Sequence, residues 1–208
     1  AGAKDLLESC LESTFEHATE NSNFVIAFSS RKREIQPPTI DFNAMIDRVI
    51  GLLVNNQEGR VSMVFGGERA GLKNKDLLKC THVCRFDVNP AYSSLNLSHA
   101  VQLVVHALRT KLSSQYNVFS KVKFDILKSR NTNNLNFRKS GITQKKILDL
   151  KKSFLELSSK IGLIKQDKQG RIEDKISRIL IASDLTENDF KLLHSFFALI
   201  KKKLKEKS

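Results

Sequence analysis

Short apolar runs and helical patterns alternate along the first half of the chain. Residues 24–28 and 61–65 are continuous or nearly continuous apolar runs, which are typical of buried strands in a parallel sheet, and residues 82–86 predict a third strand. A helical pattern opened by Asp41 lies between the first two runs, and a shorter one opened by Asn74 precedes the third. Strands that alternate with helices predict an α/β fold built on a parallel sheet.

Two further helical patterns border this region. Residues 3–20 carry apolar side chains at a spacing of three to four, and residues 97–108 carry a stronger stripe of the same kind. Each of the two segments therefore predicts a helix, interrupted in the first case at Asn21.

The second half of the chain has a different character. Residues 113–142 are rich in Ser, Asn and Lys without a clear period, which predicts a flexible linker. Beyond it, the pattern predicts a helix from Thr143 to Gly162, then a shorter helix, then a last helix capped by Thr186. We therefore expect a small all-α domain over residues 143–208.

The net charge of +13 is concentrated in this second half. Residues 1–112 contain 13 Lys and Arg against 12 Asp and Glu, whereas residues 113–208 contain 22 against 10. A balanced first half followed by a basic second half indicates a catalytic body with an appendage that binds a polyanion. The alternative is that the lysines only form solvated faces of helices.

The three cysteines, Cys10, Cys80 and Cys84, occur in a chain without an export signal. An odd number of cysteines in this context predicts reduced thiols and a cytoplasmic protein. No cluster of His and Cys completes a metal site around them, and no apolar run reaches the roughly 18 residues that a membrane span needs. We therefore expect neither a metal nor a membrane partner.

Two turns that follow predicted strands are candidates for a ligand site. Gly66-Gly67-Glu68-Arg69 follows residues 61–65, and Ser93-Ser94-Leu95-Asn96 follows the third strand. Ligands of open α/β sheets collect at the carboxyl ends of strands, so these turns could line one pocket with backbone amides and hydroxyls. The glycines match neither a dinucleotide fingerprint nor a phosphate-binding loop. A plain turn would use the same residues, and local chemistry alone leaves that alternative open.

The exact residues of these segments bear on the choice between a ligand site and a plain turn. FGGERAGL at 65–72, followed by NPAYSSLNLSHAVQL at 89–103, closely resembles the second and third motifs of the SpoU/TrmH branch of the SPOUT methyltransferases. The resemblance implies a parallel-sheet domain with a C-terminal trefoil knot, S-adenosyl-L-methionine as cofactor, and 2′-O-methylation of an RNA ribose. NPAYSSLNL is most similar to the bacterial enzymes that methylate nucleotide 32 in the anticodon loop of tRNA.

The resemblance also implies roles for single residues. Cofactor contacts are expected from the following set: Phe28, Ser29, Ser30, Gly66, Phe86, Ser93, Ser94 and Leu95. In the family, Gly66 lets the backbone approach the cofactor and Ser94 reaches toward the methyl-transfer centre, which makes Ser94 the candidate catalytic residue. Glu68 and Asn96 support the motifs, and Arg31 and Arg33 are expected to bind RNA phosphates.

The same resemblance predicts a homodimer and a division of the chain into three parts. Residues 1–112 are expected to form the methyltransferase domain, 113–142 the linker and 143–208 the basic helical domain. The family's first motif, whose arginine helps to activate the ribose hydroxyl, does not occur in this sequence. We therefore expect the methyltransferase domain to be incomplete at its N-terminus and the main catalytic arginine to be missing.

Two alternatives follow from this expectation. One is a methyltransferase that acts on the ribose of ribosomal RNA instead of tRNA. The other is a catalytically silent RNA-binding protein, which the missing arginine motif favours.

Overall fold

The protein is built around a parallel sheet. The computed structural model describes residues 4–55, 59–92, 94–126, 141–164 and 169–206. Its strands are β1 (Phe24–Phe28), β2 (Thr39–Ile40), β3 (Val61–Phe65) and β4 (His82–Cys84). They form a four-stranded sheet in the order β2-β4-β1-β3, and every pairing is parallel. The predicted α/β parallel sheet is confirmed, although β2 was not predicted and β4 ends two residues early.

Strand β1 lies inside the sheet, and all five of its residues are buried. Its side chains alternate between two apolar clusters, as the period of a strand requires. Phe24, Ile26 and Phe28 face one cluster, while Val25 and Ala27 face the other. Helix residues cover both faces, which is the layered arrangement expected for a parallel sheet.

Eight helices accompany the sheet in the part of the chain that the structure describes. They are α1 (Lys4–Glu8), α2 (Phe15–Thr19), α3 (Phe42–Asn55), α4 (Asn74–Leu77), α5 (Leu97–Ile126), α6 (Gln144–Lys160), α7 (Gln169–Ala182) and α8 (Glu187–Glu206). The predicted continuous helix over residues 3–20 is wrong, because two short helices occupy that segment.

The start of α3 follows the prediction, and the start of α4 does not. Asp41 Oδ1 accepts a hydrogen bond from the Ala44 amide at 2.9 Å, which is the bond expected of a capping carboxylate. At α4 the capping position belongs to Lys73, and Asn74 is the first helical residue. The Asn74 side chain instead accepts a hydrogen bond from Arg33 Nε at 2.6 Å. A contact between distant segments therefore replaces the predicted local cap.

Helix α5 also differs from the prediction, because it continues beyond the expected domain boundary at residue 112 to Ile126. The predicted linker thus begins inside a helix. Residues 113–126 contain neither Gly nor Pro, so nothing in their backbone chemistry ends the helix. The rest of the predicted linker, residues 127–140, lies outside the described residues.

The helices of the second half pack together through apolar side chains. Ile142, Ile147, Leu150 and Ile181 form a buried cluster, and partly buried side chains of α8 lie against it. Thr186 caps α8 as predicted, since its hydroxyl accepts from the Asp189 amide at 3.3 Å and its amide donates to Asp189 Oδ2 at 2.8 Å.

This helical part contacts the amino end of the sheet. The amide of Gln144 donates to the Ser22 carbonyl at 2.9 Å, and Asn23 Nδ2 donates to the Gly141 carbonyl at 2.9 Å. Ser22 and Asn23 directly precede β1. The carboxyl ends of the strands, at the opposite edge, are therefore left for other contacts.

The cysteines behave as the sequence predicts. Cys80 and Cys84 are buried thiols, whereas Cys10 is exposed. Burial raises the pKa of both buried thiols to about 12, so they stay protonated near neutral pH and are poor nucleophiles. Among the described helices, none combines the length and the apolar character needed to cross a membrane.

His82 gives the contact between the sheet and the helical part a dependence on pH. Its Nε2 accepts from Arg48 at 3.3 Å, and Arg48 also pairs with Asp184 at 2.9 Å. Burial, together with the nearby Arg48 charge, lowers the pKa of His82 from 6.5 to about 4. The unfolded chain therefore binds a proton at a higher pH than the folded chain does.

We expect the free energy of unfolding to fall as the pH decreases from about 6.5 to about 4, because protons stabilise the unfolded state in that range. His82→Gln should reduce this dependence, as measured by urea denaturation at a series of pH values. The matched control is His106→Gln, the same substitution on the exposed surface of α5. A pH dependence that persists unchanged in His82→Gln would contradict the assignment to His82.

Candidate active site

The carboxyl ends of three neighbouring strands converge on one cavity. Because β4, β1 and β3 are adjacent and parallel, the loops that follow them start at the same edge of the sheet. Together with the start of α5, these loops enclose a cavity of about 260 Å³. The cavity is lined by Phe28, Ser29, Ser30, Arg31, Arg33, Phe65, Gly66, Gly67, Glu68, Arg69, Ala70, Gly71, Leu72, Phe86, Ser94, Leu95, Leu97 and Ala100.

Most residues that the resemblance singled out meet here. Seven of the eight expected cofactor residues line the cavity, namely Phe28, Ser29, Ser30, Gly66, Phe86, Ser94 and Leu95. The eighth, Ser93, lies outside the described residues. Arg31, Arg33 and Glu68 also line it, whereas Asn96 does not. The structure therefore brings the residues together, and their individual roles stay predictions.

The loop after β3 folds back on itself, and this explains its glycines. The Gly71 amide donates to the Gly67 carbonyl at 2.8 Å, and Gly71 has a φ of 64°, which favours glycine. A Cβ on Gly66 would lie 2.2 Å from the Gly71 carbonyl carbon and 2.3 Å from the Leu72 nitrogen. Gly66 is thus required by the packing of its own loop, whether or not a cofactor approaches.

Glu68 and Asn96 join the loops of the two motifs. Asn96 Nδ2 donates to Glu68 Oε1 at 3.1 Å. Asn96 Oδ1 also accepts from the Ser98 amide at 2.9 Å, which caps the start of α5. The structure therefore places these two residues in direct contact, and their supporting function stays a prediction.

Aromatic rings form an apolar wall of the cavity. The Phe28 ring stacks on Phe65 with centroids 4.6 Å apart and on Phe86 with centroids 5.4 Å apart. Phe86 in turn contacts Phe42 of α3 at 5.5 Å. These contacts anchor the wall in the apolar core and fix the position of Phe86, the residue expected beside the adenine.

The arginines of the first loop have different surroundings. Arg31 is exposed, whereas the guanidinium of Arg33 donates through Nε to Asn74 at 2.6 Å and through its two terminal nitrogens to Ser29 and Leu72. Burial, and then the nearby Arg31 and Arg85 charges, lower the pKa of Arg33 from its ordinary value. An RNA phosphate could reach Arg31 directly but would compete with existing bonds at Arg33, whose RNA contact stays a prediction.

Sequence reasoning missed two members of this network. Gln36 Oε1 accepts from the Arg33 amide at 3.1 Å and from an Arg85 terminal nitrogen at 2.8 Å. Neither Gln36 nor Arg85 belongs to a recognisable motif. Arg85 lies inside the predicted strand at 82–86, which gave no reason to place it in a loop. In the structure β4 ends at Cys84, so Arg85 directly follows the strand, where ligand-site residues collect.

The ionisable groups of the cavity wall favour contact with single anionic groups, such as a carboxylate or a phosphate. In the described part of the chain they are Arg31, Arg33, Arg69 and Glu68, so positive charge exceeds negative charge. No group of three or more His, Cys, Asp and Glu among the described residues could hold a metal ion. The described cavity wall thus offers hydroxyls, backbone groups and guanidinium groups for binding.

Comparison with known proteins identifies the family. Residues 1–106, about half of the 208 residues, match the SpoU rRNA Methylase family. The chain belongs to the SpoU methylase family. The match includes all three loops that line the cavity.

Curated relatives carry methyltransferase names. A Haemophilus influenzae protein named uncharacterized tRNA/rRNA methyltransferase is 36% identical over 118 residues, which cover 56% of this chain and 47% of the relative. The tRNA (cytidine/uridine-2′-O-)-methyltransferase TrmJ of Escherichia coli K12 is 34% identical over 119 residues, with 56% and 47% covered. The chain thus spans about half the length of the curated relatives that it matches.

A solved structure supports the fold of this chain. The crystal structure of TrmJ from Zymomonas mobilis ZM4 matches with a TM-score of 0.71 at 20% identity, covering 97% of this chain and 78% of that one. At this identity the likeness concerns the fold, and it confirms the α/β architecture with its parallel sheet. The trefoil knot expected from the sequence stays a prediction.

The glycines of the loop after β3 provide a test of this site. Gly66→Ala should lower the free energy of unfolding by about 2 kcal/mol or more, because the added methyl group overlaps the backbone of Gly71 and Leu72. Gly67→Ala is the matched control, since a Cβ there meets nothing within 4 Å, and it should change stability by less than about 0.5 kcal/mol. Equal stabilities of the two variants in urea denaturation would show that the loop does not fold back as described.

Proposed function

We propose that this chain forms the cofactor pocket and part of the RNA-binding surface of a methyltransferase that uses S-adenosyl-L-methionine to methylate a ribose 2′-oxygen in tRNA. The observation that carries the proposal is the meeting of both motif loops, 66–72 and 94–96, with the Ser29 loop around one cavity in a SpoU methylase. The names of the curated relatives support tRNA as the substrate class.

The cavity fits such a cofactor chemically. Its aromatic wall at Phe65 and Phe86 suits a flat adenine ring, while the folded loop at 66–72 presents backbone groups instead of side chains. The guanidinium of Arg69, which also lines the cavity, suits the carboxylate of the methionine part. When bound, the cofactor supplies an electrophilic methyl group on a sulfonium.

The residues of this chain would bind and orient the two reactants. Ser94 lies at the cavity wall beside Leu95 and is the residue that we propose nearest to the transfer centre. A ribose hydroxyl has a pKa far above 7, so the reaction also needs a group that stabilises the developing alkoxide. The contribution that we assign to the cavity residues is to position the cofactor and the ribose.

RNA would be held by Arg31 at the cavity and by lysines of the helical part. Several of those lysines are paired, as in Lys146 with Glu187 at 2.6 Å and Lys201 with Glu156 at 2.7 Å. Lys202 and Lys203, by contrast, are exposed and have no acidic partner among the described residues. Cations of this kind are available to neutralise phosphates.

Nucleotide 32 of the anticodon loop is the position that we propose for the methyl group, on the strength of the NPAYSSLNL motif.

We also propose a cytoplasmic homodimer. Apolar side chains on the exposed surface of α5 support the dimer, since Leu103 is 46% exposed and Val105 is 53% exposed.

Ribosomal RNA is the second candidate substrate, because the family description names rRNA and one relative is named for both tRNA and rRNA. The two substrates differ in a direct assay. Labelled methyl that appears in rRNA and not in tRNA would replace the first proposal by the second.

The proposal predicts methyl transfer from labelled S-adenosyl-L-methionine to unmodified tRNA, with a decrease of at least about tenfold in Ser94→Ala. Ser13→Ala, at an exposed serine that does not line the cavity, is the matched control and should leave the rate unchanged. Because the chain spans about half of its relatives' length, calorimetric binding of the cofactor is measured in parallel. Binding without transfer would favour the silent RNA-binding homologue, and absence of both would refute the proposed function.

Lys202→Gln and Lys203→Gln should each reduce the magnitude of the slope of log affinity for tRNA against log salt concentration by about 0.7 to 0.9, because each substitution removes one phosphate contact. The control is Lys4→Gln, an exposed lysine on α1. Filter binding over a range of salt concentrations measures the slope. If the slope in both variants equals that of the unchanged chain, the lysines of α8 are solvated surface residues and do not bind RNA.

A further inference from the structure

Arg33 connects segments that are far apart in the sequence but border the same cavity. Its guanidinium donates to Ser29 Oγ at 3.1 Å, to the Leu72 carbonyl at 2.8 Å and to Asn74 Oδ1 at 2.6 Å. Ser29 directly follows β1, while Leu72 ends the folded loop after β3. All three nitrogens of the guanidinium therefore donate hydrogen bonds. One side chain therefore joins the loop after β1 to the loop after β3.

The third loop of the cavity joins the same network through Gln36. Its Oε1 accepts from the Arg33 amide at 3.1 Å and from an Arg85 terminal nitrogen at 2.8 Å. Arg85 directly follows β4. Arg85 and Arg33 also both donate to the Arg31 carbonyl, at 3.5 and 3.4 Å. The loops after β1, β3 and β4 are thus tied to one another around Arg33.

The geometry of these bonds requires an arginine. A planar fork can donate in three fixed directions at once, whereas the ammonium of a lysine is a point charge on a flexible stem. The arrangement also has a cost, because three guanidinium groups lie close together and Arg33 is partly buried. Arg33 persists in this position because its hydrogen bonds offset that cost.

We propose that Arg33 is a positioning residue, which holds the three loops of the cofactor pocket in their relative places, while the exposed Arg31 makes the RNA contact. This inference rests on the proposed function for the identity of the ligand. The division of work between the two arginines follows from their surroundings, since one has acceptors on three sides and the other faces solvent.

The first experiment compares Arg33→Lys with Arg31→Ala in the whole chain. Arg33→Lys keeps the charge and removes the fork, so we expect the Kd for S-adenosyl-L-methionine to rise about tenfold while the salt dependence of tRNA binding stays the same. Arg31→Ala should do the opposite, leaving the cofactor Kd within about twofold and lowering the salt slope by about 0.7 to 0.9. The proposal would be overturned if the cofactor Kd of Arg33→Lys equalled that of the unchanged chain, or if the salt slope fell in Arg33→Lys.

The second experiment does not depend on the ligand. Hydrogen exchange of the amides in residues 67–72 should become about tenfold faster in Arg33→Lys, because the loop loses its attachment at the Leu72 carbonyl, and should be unchanged in Arg31→Ala. If the unchanged chain binds no cofactor, the proposed function fails, but this comparison still decides the role of Arg33. Equal exchange in all three proteins would show that Arg33 does not hold the loop.

A third variant serves if Arg33→Lys unfolds. Asn74→Ala removes one acceptor of Arg33 without touching the cavity wall, so it should weaken cofactor binding about threefold and leave the salt slope unchanged. Asn43→Ala, an exposed asparagine in the first turn of α3, is the matched control. Cofactor affinities that are the same in Asn74→Ala and Asn43→Ala would contradict the proposal.

Discussion

The complete burial of β1 is the constraint from which the arrangement of the site follows. A strand whose residues are all withdrawn from water needs a neighbour on each edge and an apolar layer on each face. The Thr81 hydroxyl contributes to this, since it accepts from the Val25 amide at 3.0 Å and donates to the Val25 carbonyl at 2.8 Å. Because the neighbours β3 and β4 run parallel to β1, the loops that follow all three strands must meet at one edge.

The two ends of the sheet consequently make different contacts. The carboxyl end bears the cavity and its arginines, while the amino end holds the helical part through Ser22, Asn23 and the Arg48–Asp184 pair. Residues 141–208 contain 16 Lys and Arg against 9 Asp and Glu, and none of the described residues of this helical part lines the cavity. Positive charge therefore lies both at the cavity and on the helices at the opposite edge of the sheet.

Packing within the loop after β3 explains part of the family motif, beside the ligand binding proposed for it. Gly66 has no room for a side chain because the backbone of Gly71 and Leu72 lies against it. The fold of this loop also presents the Leu72 carbonyl to Arg33. The glycines, the loop conformation and the anchoring arginine therefore form one interdependent unit, in which the loss of one part affects the others.

The sequence by itself determined the elements that depend on local chemistry. Apolar runs predicted β1 and β3, the carboxylate of Asp41 predicted the start of α3, and two contiguous motifs pointed to most of the cavity wall. Only the tertiary structure decided that Arg33 is engaged by Leu72 and Asn74, and that the unremarked Gln36 and Arg85 belong to the same network. The physical reason is distance along the chain, because these contacts join residues separated by up to 49 positions. No local sequence pattern specifies which arginine will have hydrogen-bond acceptors around it in the folded sheet.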